Sequence, residues 1–433
     1  MNPVDRRTFL RLAGAGLGVA GLSACAGTGS SGGGGGASSG PVTNLTFWSN
    51  HPGTSKPVET ELINTYKAGG GIDVALVDGG ANYEELAQKF NAALTGNDVP
   101  DVVVVSDVTW FNLALNDAIT PVDDLWGAVG ADSSAYVDTL REDYAFDGRH
   151  YAVPYARSTP LFYYNKAMWR SAGLPDRGPE TWQEFADWGP ALLSANGGKA
   201  PLTVPNGRDY LDWYFQGMIW TFGGAYSEEW EPAFTSPESL AAGRFLQEQV
   251  QRKHINVTND ASNQFGAGQA ASLMQSTGTL RGLAKTAAFE FGAAPLPGPT
   301  PGCPTGGAGL AIPAKISDAR KEAAMRFITS ITDTRNTVTF TQATGYLPVR
   351  KNARDEPVQQ QFLAQNPNAT VALEQLADTK PQDFARVFVP GGGSRIGAGL
   401  DRITSGGEDV QEVFGQLADE TRTVYERDVE PKL

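Results

Sequence analysis

Residues 100–105 read Pro-Asp-Val-Val-Val-Val, a continuous apolar run that begins after a proline. A run without polar alternation is typical of a strand that is buried on both faces of a parallel sheet. Upstream, Leu45–Trp48 and Ile72–Val77 predict two further strands, and Val58–Tyr66 and Tyr83–Leu94 predict helices. Strands and helices that alternate in this way predict an α/β layer fold.

The length of the chain predicts more than one hydrophobic core. Its 433 residues exceed what a single core usually holds, so two lobes are the expected arrangement. The 41% of hydrophobic residues and the 9 tryptophans are typical of a packed globular protein rather than a disordered one.

The N-terminus predicts an export signal. Arg6 and Arg7 form a twin-arginine pattern, and the apolar stretch Leu12–Leu22 that follows is too short to span a bilayer. The sequence Leu-Ser-Ala-Cys at 22–25 resembles the lipobox that the lipoprotein signal peptidase cuts. We therefore predict a signal peptide over residues 1–24 and a lipid on Cys25. The alternative is an ordinary amphipathic start with a chance cysteine.

A stretch of glycine and serine follows the predicted lipid site. Residues 30–40 cannot bury apolar surface and predict a flexible tether, so residues 25–40 would form an anchor and a tether. A lipid at Cys25 would then hold the protein on the outer face of the cytoplasmic membrane. We find no later run of 18 apolar residues that predicts a membrane span.

Charge and cysteine content exclude several classes of protein. The formal net charge of −14 argues against nucleic acid as a partner and against a polybasic membrane contact. The chain has 2 cysteines, Cys25 and Cys303, which excludes a disulfide framework and a cysteine-based metal site. We expect no cofactor and no metal.

Several stretches in order along the chain resemble one protein family. An Asp-Gly pair at 147–148 predicts a hairpin at the start of the first stretch. The stretches are residues 148–185, 293–297, 306–313 and 344–350. They are similar to the family 1 extracellular solute-binding proteins, which serve ATP-driven importers of sugars and related polyols.

Within that family, shorter patterns resemble the branch that binds glycerol phosphate and glycerophosphodiesters. These patterns are residues 88–93, 156–160, 223–226 and 384–388. They look most similar to actinobacterial members associated with glycerophosphocholine. The ligands that the resemblance implies are glycerophosphocholine, glycerol 3-phosphate and a di- or oligosaccharide, in that order.

The resemblance also implies an architecture and partners. Two α/β lobes would be joined by hinge strands, with the ligand in the cleft between them. The first lobe would comprise residues 41–155 plus 310–350, and the second residues 158–306 plus 356–433. The chain would be a monomer, and its partners would be permease subunits, a separate ATPase and the membrane through the Cys25 lipid.

Arg386 and Trp213 are the strongest candidates for ligand contacts. Arg386 lies in an apolar segment, where it would either bind a phosphate or sugar oxygen or form an internal salt bridge. The resemblance places it against ligand. Trp213 matches the cleft aromatic of the branch, and its face suits a quaternary ammonium group. Tyr210, three residues earlier, would share its helical face and either extend an aromatic cage or pack, whereas we expect Tyr214 in the core.

The other candidates carry weaker signals. Asp107 follows the valine strand, where α/β sheets bind ligands, or else it caps a helix that begins at Val108. Tyr83 begins a helix, and Tyr346 lies in a turn that resembles the family's cleft loop. The remaining candidates are two hydroxyls and one backbone N–H: Ser158, Ser276 and Gly307.

The sequence does not favour an enzyme. Residues 29–33 fit the hydrolase pattern G-x-S-x-G, but they lie in the tether with no strand before them. The three histidines, at 51, 150 and 254, have no zinc-protease spacing. A hydrolase that uses paired carboxylates stays open as an alternative, because carboxylates are many. A purely structural surface lipoprotein is a further alternative.

The lipidation prediction can be tested in cells. Replacing Cys25 by Ala removes the thiol that would carry the lipid, so we expect the variant to leave the membrane fraction. Fractionation beside the wild-type protein checks this. A variant that stays membrane-bound to the same extent would contradict the lipoprotein interpretation.

Overall fold

A computed structural model describes residues 41–50, 55–96, 98–298 and 302–433. The predicted signal peptide, Cys25 and the Gly/Ser tether lie outside the described residues. The described part contains two five-stranded mixed sheets. We call the elements around the first sheet the first lobe, and those around the second sheet the second lobe.

The first sheet has the strand order β2-β1-β3-β15-β6. β1 is parallel to β2 and to β3, whereas β15 is antiparallel to both β3 and β6. Its strands are β1 Asn44–Ser49, β2 Asp73–Asp78, β3 Val102–Ser106, β6 Val153–Ser158 and β15 Gly306–Ala311.

The valine run forms a fully buried strand, as predicted, but its sheet is not purely parallel. Every residue of β3 is buried. Its antiparallel neighbour β15 comes from a distant part of the chain, with Leu310 opposite Val104. An unbroken apolar run indicates that both faces of a strand are buried. It does not indicate whether the neighbouring strand runs parallel or antiparallel to it.

The second sheet has the order β11-β8-β12-β7-β13, in which β8 is parallel to β11 and β12. β7 is antiparallel to β12 and β13. Its strands are β7 Pro160–Asn165, β8 Leu202–Pro205, β11 Ile255–Thr258, β12 Ser272–Ser276 and β13 Phe291–Ala294. Three short pairs complete the strands: β4 Ala145–Phe146 with β5 Arg149–His150, β9 Ser227–Glu228 with β10 Glu231–Pro232, and β14 Cys303–Pro304 with β16 Thr379–Lys380.

The β4–β5 pair is the predicted hairpin. Asp147 has φ 49° and Gly148 has φ 71°, so both central residues are in the left-handed region that a type I′ turn requires.

Helices cover the sheets of both lobes. In the first lobe, α1, α12 and α13 pack against one another, and in the second α17 packs against α8, α9 and α18. The helices are α1 Ser55–Ala68, α2 Tyr83–Leu94, α3 Trp110–Leu115, α4 Asp123–Val129, α5 Asp138–Glu142, α6 Lys166–Ser171, α7 Trp182–Ala195, α8 Leu211–Thr221, α9 Pro237–Gln251, α10 Ala261–Gly266, α11 Leu280–Thr286, α12 Asp318–Ile331, α13 Thr334–Thr344, α14 Pro357–Gln365, α15 Pro367–Gln375, α16 Phe384–Val387, α17 Gly392–Thr404 and α18 Val410–Asp428.

The chain passes between the lobes over very short segments. β6 of the first sheet ends at Ser158 and β7 of the second sheet begins at Pro160. β15 begins at Gly306, directly after β14 and Thr305. At the C-terminus, Val429 is buried in the core of the first lobe. The exact lobe boundaries given above stay predictions.

A buried carboxyl group lies beside the first crossing. Glu59 of α1 is only 2% exposed, and its Oε1 accepts hydrogen bonds from Ser49 Oγ at 2.7 Å and from the Tyr155 hydroxyl of β6 at 3.2 Å. Burial raises the pKa of Glu59 to about 7, against the lowering effect of these two bonds. The folded protein therefore takes up a proton here at a higher pH than the unfolded chain does.

This difference predicts a pH-dependent stability. The contribution of Glu59 is fully present below its ordinary pKa of 4.5 and is lost as the pH rises through about 7. In Glu59→Gln the side chain stays neutral at every pH. The free energy of unfolding of this variant, measured with denaturant, should therefore rise relative to that of the wild type between pH 5 and pH 8, by up to about 3 kcal/mol. Glu61→Gln, on the exposed face of α1, is the control and should follow wild type. Equal pH profiles for all three proteins would contradict the assignment.

Candidate functional site

All eight predicted site residues line one cavity of about 190 Å³, to which both lobes contribute. The structure thus brings them together from eight separate stretches of sequence. They are Tyr83, Asp107, Ser158, Trp213, Ser276, Gly307, Tyr346 and Arg386. Three more side chains complete the lining: Tyr210, Tyr214 and Gln275.

Asp107 lies at the carboxyl end of β3 and does not cap a helix. α3 begins at Trp110, and its N-cap residue is Thr109. The Asp107 carboxylate instead accepts hydrogen bonds from Gln382 Nε2 at 2.6 Å and from Arg386 Nη1 at 2.9 Å. The capping alternative is therefore wrong, because the second lobe supplies the partners of this carboxylate.

Arg386 forms the internal salt bridges that were one of its two predicted alternatives, and its role as a ligand contact stays a prediction. It is 2% exposed, and its Nε donates to Asp212 Oδ2 at 2.7 Å in addition to the bond from Nη1 to Asp107. It forms internal salt bridges and also lines the cavity. The guanidinium therefore joins α16 and α8 of the second lobe to the end of β3 in the first.

Trp213 lies on α8, where it is 6% exposed. Its Nε1 donates to the carbonyl oxygen of Thr305 at 3.0 Å. A Cβ atom at Gly306 would come within 2.5 Å of the tryptophan ring, so only glycine fits beside it. The start of β15 thus holds the ring against the cavity wall.

Tyr210 does not share a helical face with Trp213, contrary to the prediction. It precedes α8 and has φ 74° and ψ 35°, in the left-handed region that bulky residues rarely adopt. Its hydroxyl donates to Glu84 Oε2 at 2.9 Å, and its ring lies 6.4 Å from the ring of Tyr83. Both of these contacts are with α2 of the first lobe.

The prediction that Tyr214 packs in the core is wrong in part. It is buried, but it also lines the cavity, and its hydroxyl donates a short hydrogen bond to Gln275 Oε1. Nearly every side chain of α8 is buried, so periodicity could not separate the cavity face from the core face. Gln275 was not predicted as a site residue. Its place directly before Ser276 on β12 is the one feature of the sequence that could have indicated it.

Several hydroxyl groups form part of the cavity lining. The hydroxyls of Tyr83 and Tyr346 hydrogen-bond to each other. Ser276 Oγ accepts a hydrogen bond from the Gly278 N–H at 3.1 Å, which leaves the serine proton to donate elsewhere. Ser158, at the end of β6, is buried beside them.

Carboxyl groups outnumber guanidinium groups around the cavity. Buried carboxylates at Asp107, Asp143 and Asp212 face two buried guanidiniums, Arg157 and Arg386. Burial raises the pKa of Asp212 to about 6, although Arg386 lowers it. Burial also raises the pKa of Asp143 above its ordinary value. The cluster thus has three carboxyl groups for two guanidiniums and offers no surplus of positive charge to an anionic ligand.

A second, outer cavity of about 560 Å³ adjoins the first and shares Tyr210 and Arg386 with it. Its lining is rich in acceptors, among them Glu84, Glu85 and Asp401.

Within the described ranges we find no cluster of His, Cys, Asp and Glu side chains suited to hold a metal ion. Over the same ranges, none of the helices has the length and apolar character that a membrane span requires.

Residues 61–371 match the profile of a family described as bacterial extracellular solute-binding protein. The sn-glycerol-3-phosphate-binding periplasmic protein UgpB of Shigella dysenteriae serotype 1 is 26% identical to this chain over 364 residues, which are 80% of this chain and 83% of the relative. The protein of the same name from Escherichia coli K12 is 25% identical over 366 residues, with the same shares covered.

Solved structures show the same relationship. The crystal structure of UgpB from Mycobacterium tuberculosis in complex with glycerophosphocholine is 51% identical, with a TM-score of 0.86 over 90% of this chain and 100% of that one. The GacH receptor of Streptomyces glaucescens, 20% identical with a TM-score of 0.76 over 89% of this chain and 98% of that one, shares the fold. Because the family profile covers most of the chain and a relative of 51% identity spans nearly all of the described fold, the chain belongs to the bacterial extracellular solute-binding proteins.

Proposed function

We propose that this chain captures a zwitterionic glycerophosphodiester, such as glycerophosphocholine, for an ATP-driven importer. The observation that carries the proposal is a cavity in which aromatic rings stand beside a cluster with more carboxyl groups than guanidiniums. The names of two relatives support the same ligand class: one is a glycerol-3-phosphate-binding protein, and the other was solved with glycerophosphocholine.

The cationic end of the ligand would meet the aromatic rings. A trimethylammonium group has no N–H to donate, so ring faces and nearby carboxylates are its natural partners. Trp213, Tyr83 and Tyr210 supply rings around one part of the cavity. Asp107 supplies a carboxylate on the same lining.

The glycerol-phosphate end would meet the donors. A phosphate leaves water only if charged groups, hydroxyls or amides replace its hydration. Arg386, Tyr346 and Ser276 line the cavity, and Ser158 and the backbone N–H of Gly307 add to them. Arg386 is already bonded to two aspartates, so these carboxyl groups offset its positive potential and the hydroxyl and amide donors matter more for the phosphate.

The balance of charge favours the diester over a phosphomonoester. Glycerol 3-phosphate carries its negative charge without a compensating cation, and the buried cluster offers it no surplus of positive charge, because three carboxyl groups face two guanidiniums. A zwitterion adds no net charge to this region, so its electrostatic cost of binding is lower.

The rest of the proposal concerns how the protein is used. It binds its ligand without altering it, and it is exported and held on the outer face of the membrane by a lipid on Cys25. It delivers the ligand to permease subunits that a separate ATPase drives. Mass spectrometry of the ligand after incubation tests the first point, since a hydrolase would return cleaved products.

Calorimetry on a tryptophan variant tests the ligand assignment. In Trp213→Leu the apolar bulk stays and the ring is lost, so the affinity for glycerophosphocholine should fall by about 0.5–2 kcal/mol, and by more in Trp213→Ala. Affinity for glycerol 3-phosphate should change little, if that compound binds at all.

The matched control is Trp169→Leu, which removes a buried tryptophan of the second lobe outside the cavity. It should leave both affinities unchanged. Equal losses for both ligands in Trp213→Leu would mean that the ring packs against glycerol or the core. Tight binding of a disaccharide, without binding of either phosphate compound, would replace the proposed ligand class by a sugar.

A further inference from the structure

Tyr210 stands between the two cavities of the cleft. Only two side chains line both the inner cavity of about 190 Å³ and the outer cavity of about 560 Å³ among the described residues, and these are Tyr210 and Arg386. Arg386 is held on two sides by salt bridges to Asp107 and Asp212. Tyr210 is held at its tip by one hydrogen bond, so it is the more readily moved of the two.

That hydrogen bond joins the two lobes. Tyr210 follows β8 of the second sheet, whereas its acceptor Glu84 lies on α2, whose Leu86 and Phe90 are buried in the core of the first lobe. The acceptor is a carboxylate, and hydrogen bonds to charged groups are stronger than neutral ones. Opening the cleft between the lobes would break this bond.

The backbone of Tyr210 indicates that its position is imposed by its surroundings. At φ 74° a bulky side chain is in a region that costs free energy, and such outliers cluster at ligand clamps and switches. The Leu211 N–H donates to the Asn206 oxygen at 3.0 Å, which fixes the turn that presents Tyr210. Burial and Glu84 also raise the pKa of the Tyr210 hydroxyl, which keeps the proton that it donates.

We propose that Tyr210 is a latch whose bond to Glu84 holds the inner cavity shut, and that its ring limits the ligand to that cavity. Tyr210 is thereby a specificity-determining residue for the size of the head group. The proposal rests on the proposed function, because it assumes that the inner cavity holds the ligand. When the latch opens, the inner and outer cavities join.

The rate of ligand release tests the latch. Tyr210→Phe keeps the ring and removes the hydroxyl, so glycerophosphocholine should dissociate faster by on the order of tenfold in stopped-flow measurements. The association rate should change much less. Glu84→Ala should have the same effect, and the double variant should be no faster than either single variant, because both remove the same bond.

Tyr164→Phe is the matched control. Its hydroxyl also donates to a carboxylate, Asp176 Oδ1 at 3.0 Å, but both residues belong to the second lobe. This variant should release glycerophosphocholine at the wild-type rate. If Tyr210→Phe releases the ligand no faster than Tyr164→Phe does, the proposal that Tyr210 is a latch is wrong. The proposed function would still stand in that case, provided that the wild-type protein binds glycerophosphocholine.

The size limit is tested with glycerophosphoinositol, whose head group is larger. Tyr210→Ala should bind it more tightly relative to glycerophosphocholine than wild type does, since the two cavities are then joined. An unchanged ratio of the two affinities would overturn the size limit. A wild-type protein that binds neither diester would instead overturn the proposed function.

Discussion

The contact of one buried arginine with two aspartates is the constraint on which the site depends. Asp107 follows the central strand β3 of the first lobe, Asp212 lies in the first turn of α8 of the second, and Arg386 bonds to both. A buried charge is tolerated only when it is paired, and removing one partner of such a pair costs about 3–5 kcal/mol. The pair with Asp212 lies within the second lobe, and the pair with Asp107 crosses to the first, so the second of these holds the two walls of the cavity in register.

The same contact explains the electrostatic character of the cavity. Each guanidinium is matched by at least one carboxylate: Arg157 by Asp143, and Arg386 by Asp107 and Asp212. The pairs absorb most of the positive charge, so the cavity is not a general anion site. Its selectivity must come from where donors, rings and carboxyl groups stand, and this arrangement suits a ligand with both signs of charge.

Local patterns were sufficient for much of the fold and for two residues of the cavity wall. The valine run, the helix that begins at Tyr83 and the Asp-Gly hairpin were predicted at nearly the right residues, because burial and turn conformation follow from a few neighbouring side chains. Asp107 was found because it follows a buried strand, and Arg386 because a charge in an apolar segment needs a partner. The remaining site residues came from resemblance to a family.

The sequence by itself determined the α/β class, the buried valine strand and the Asp-Gly hairpin, since each depends on residue type and local order. The tertiary structure alone decided that β15 would lie antiparallel to β3, that Tyr214 would face the cavity, and that Tyr210 would leave its helix to reach Glu84. Each of these features depends on a contact between residues that are about 60–200 positions apart in the chain. No local periodicity carries such pairings, because they form only when two separately folded lobes come together and satisfy each other's buried polar groups.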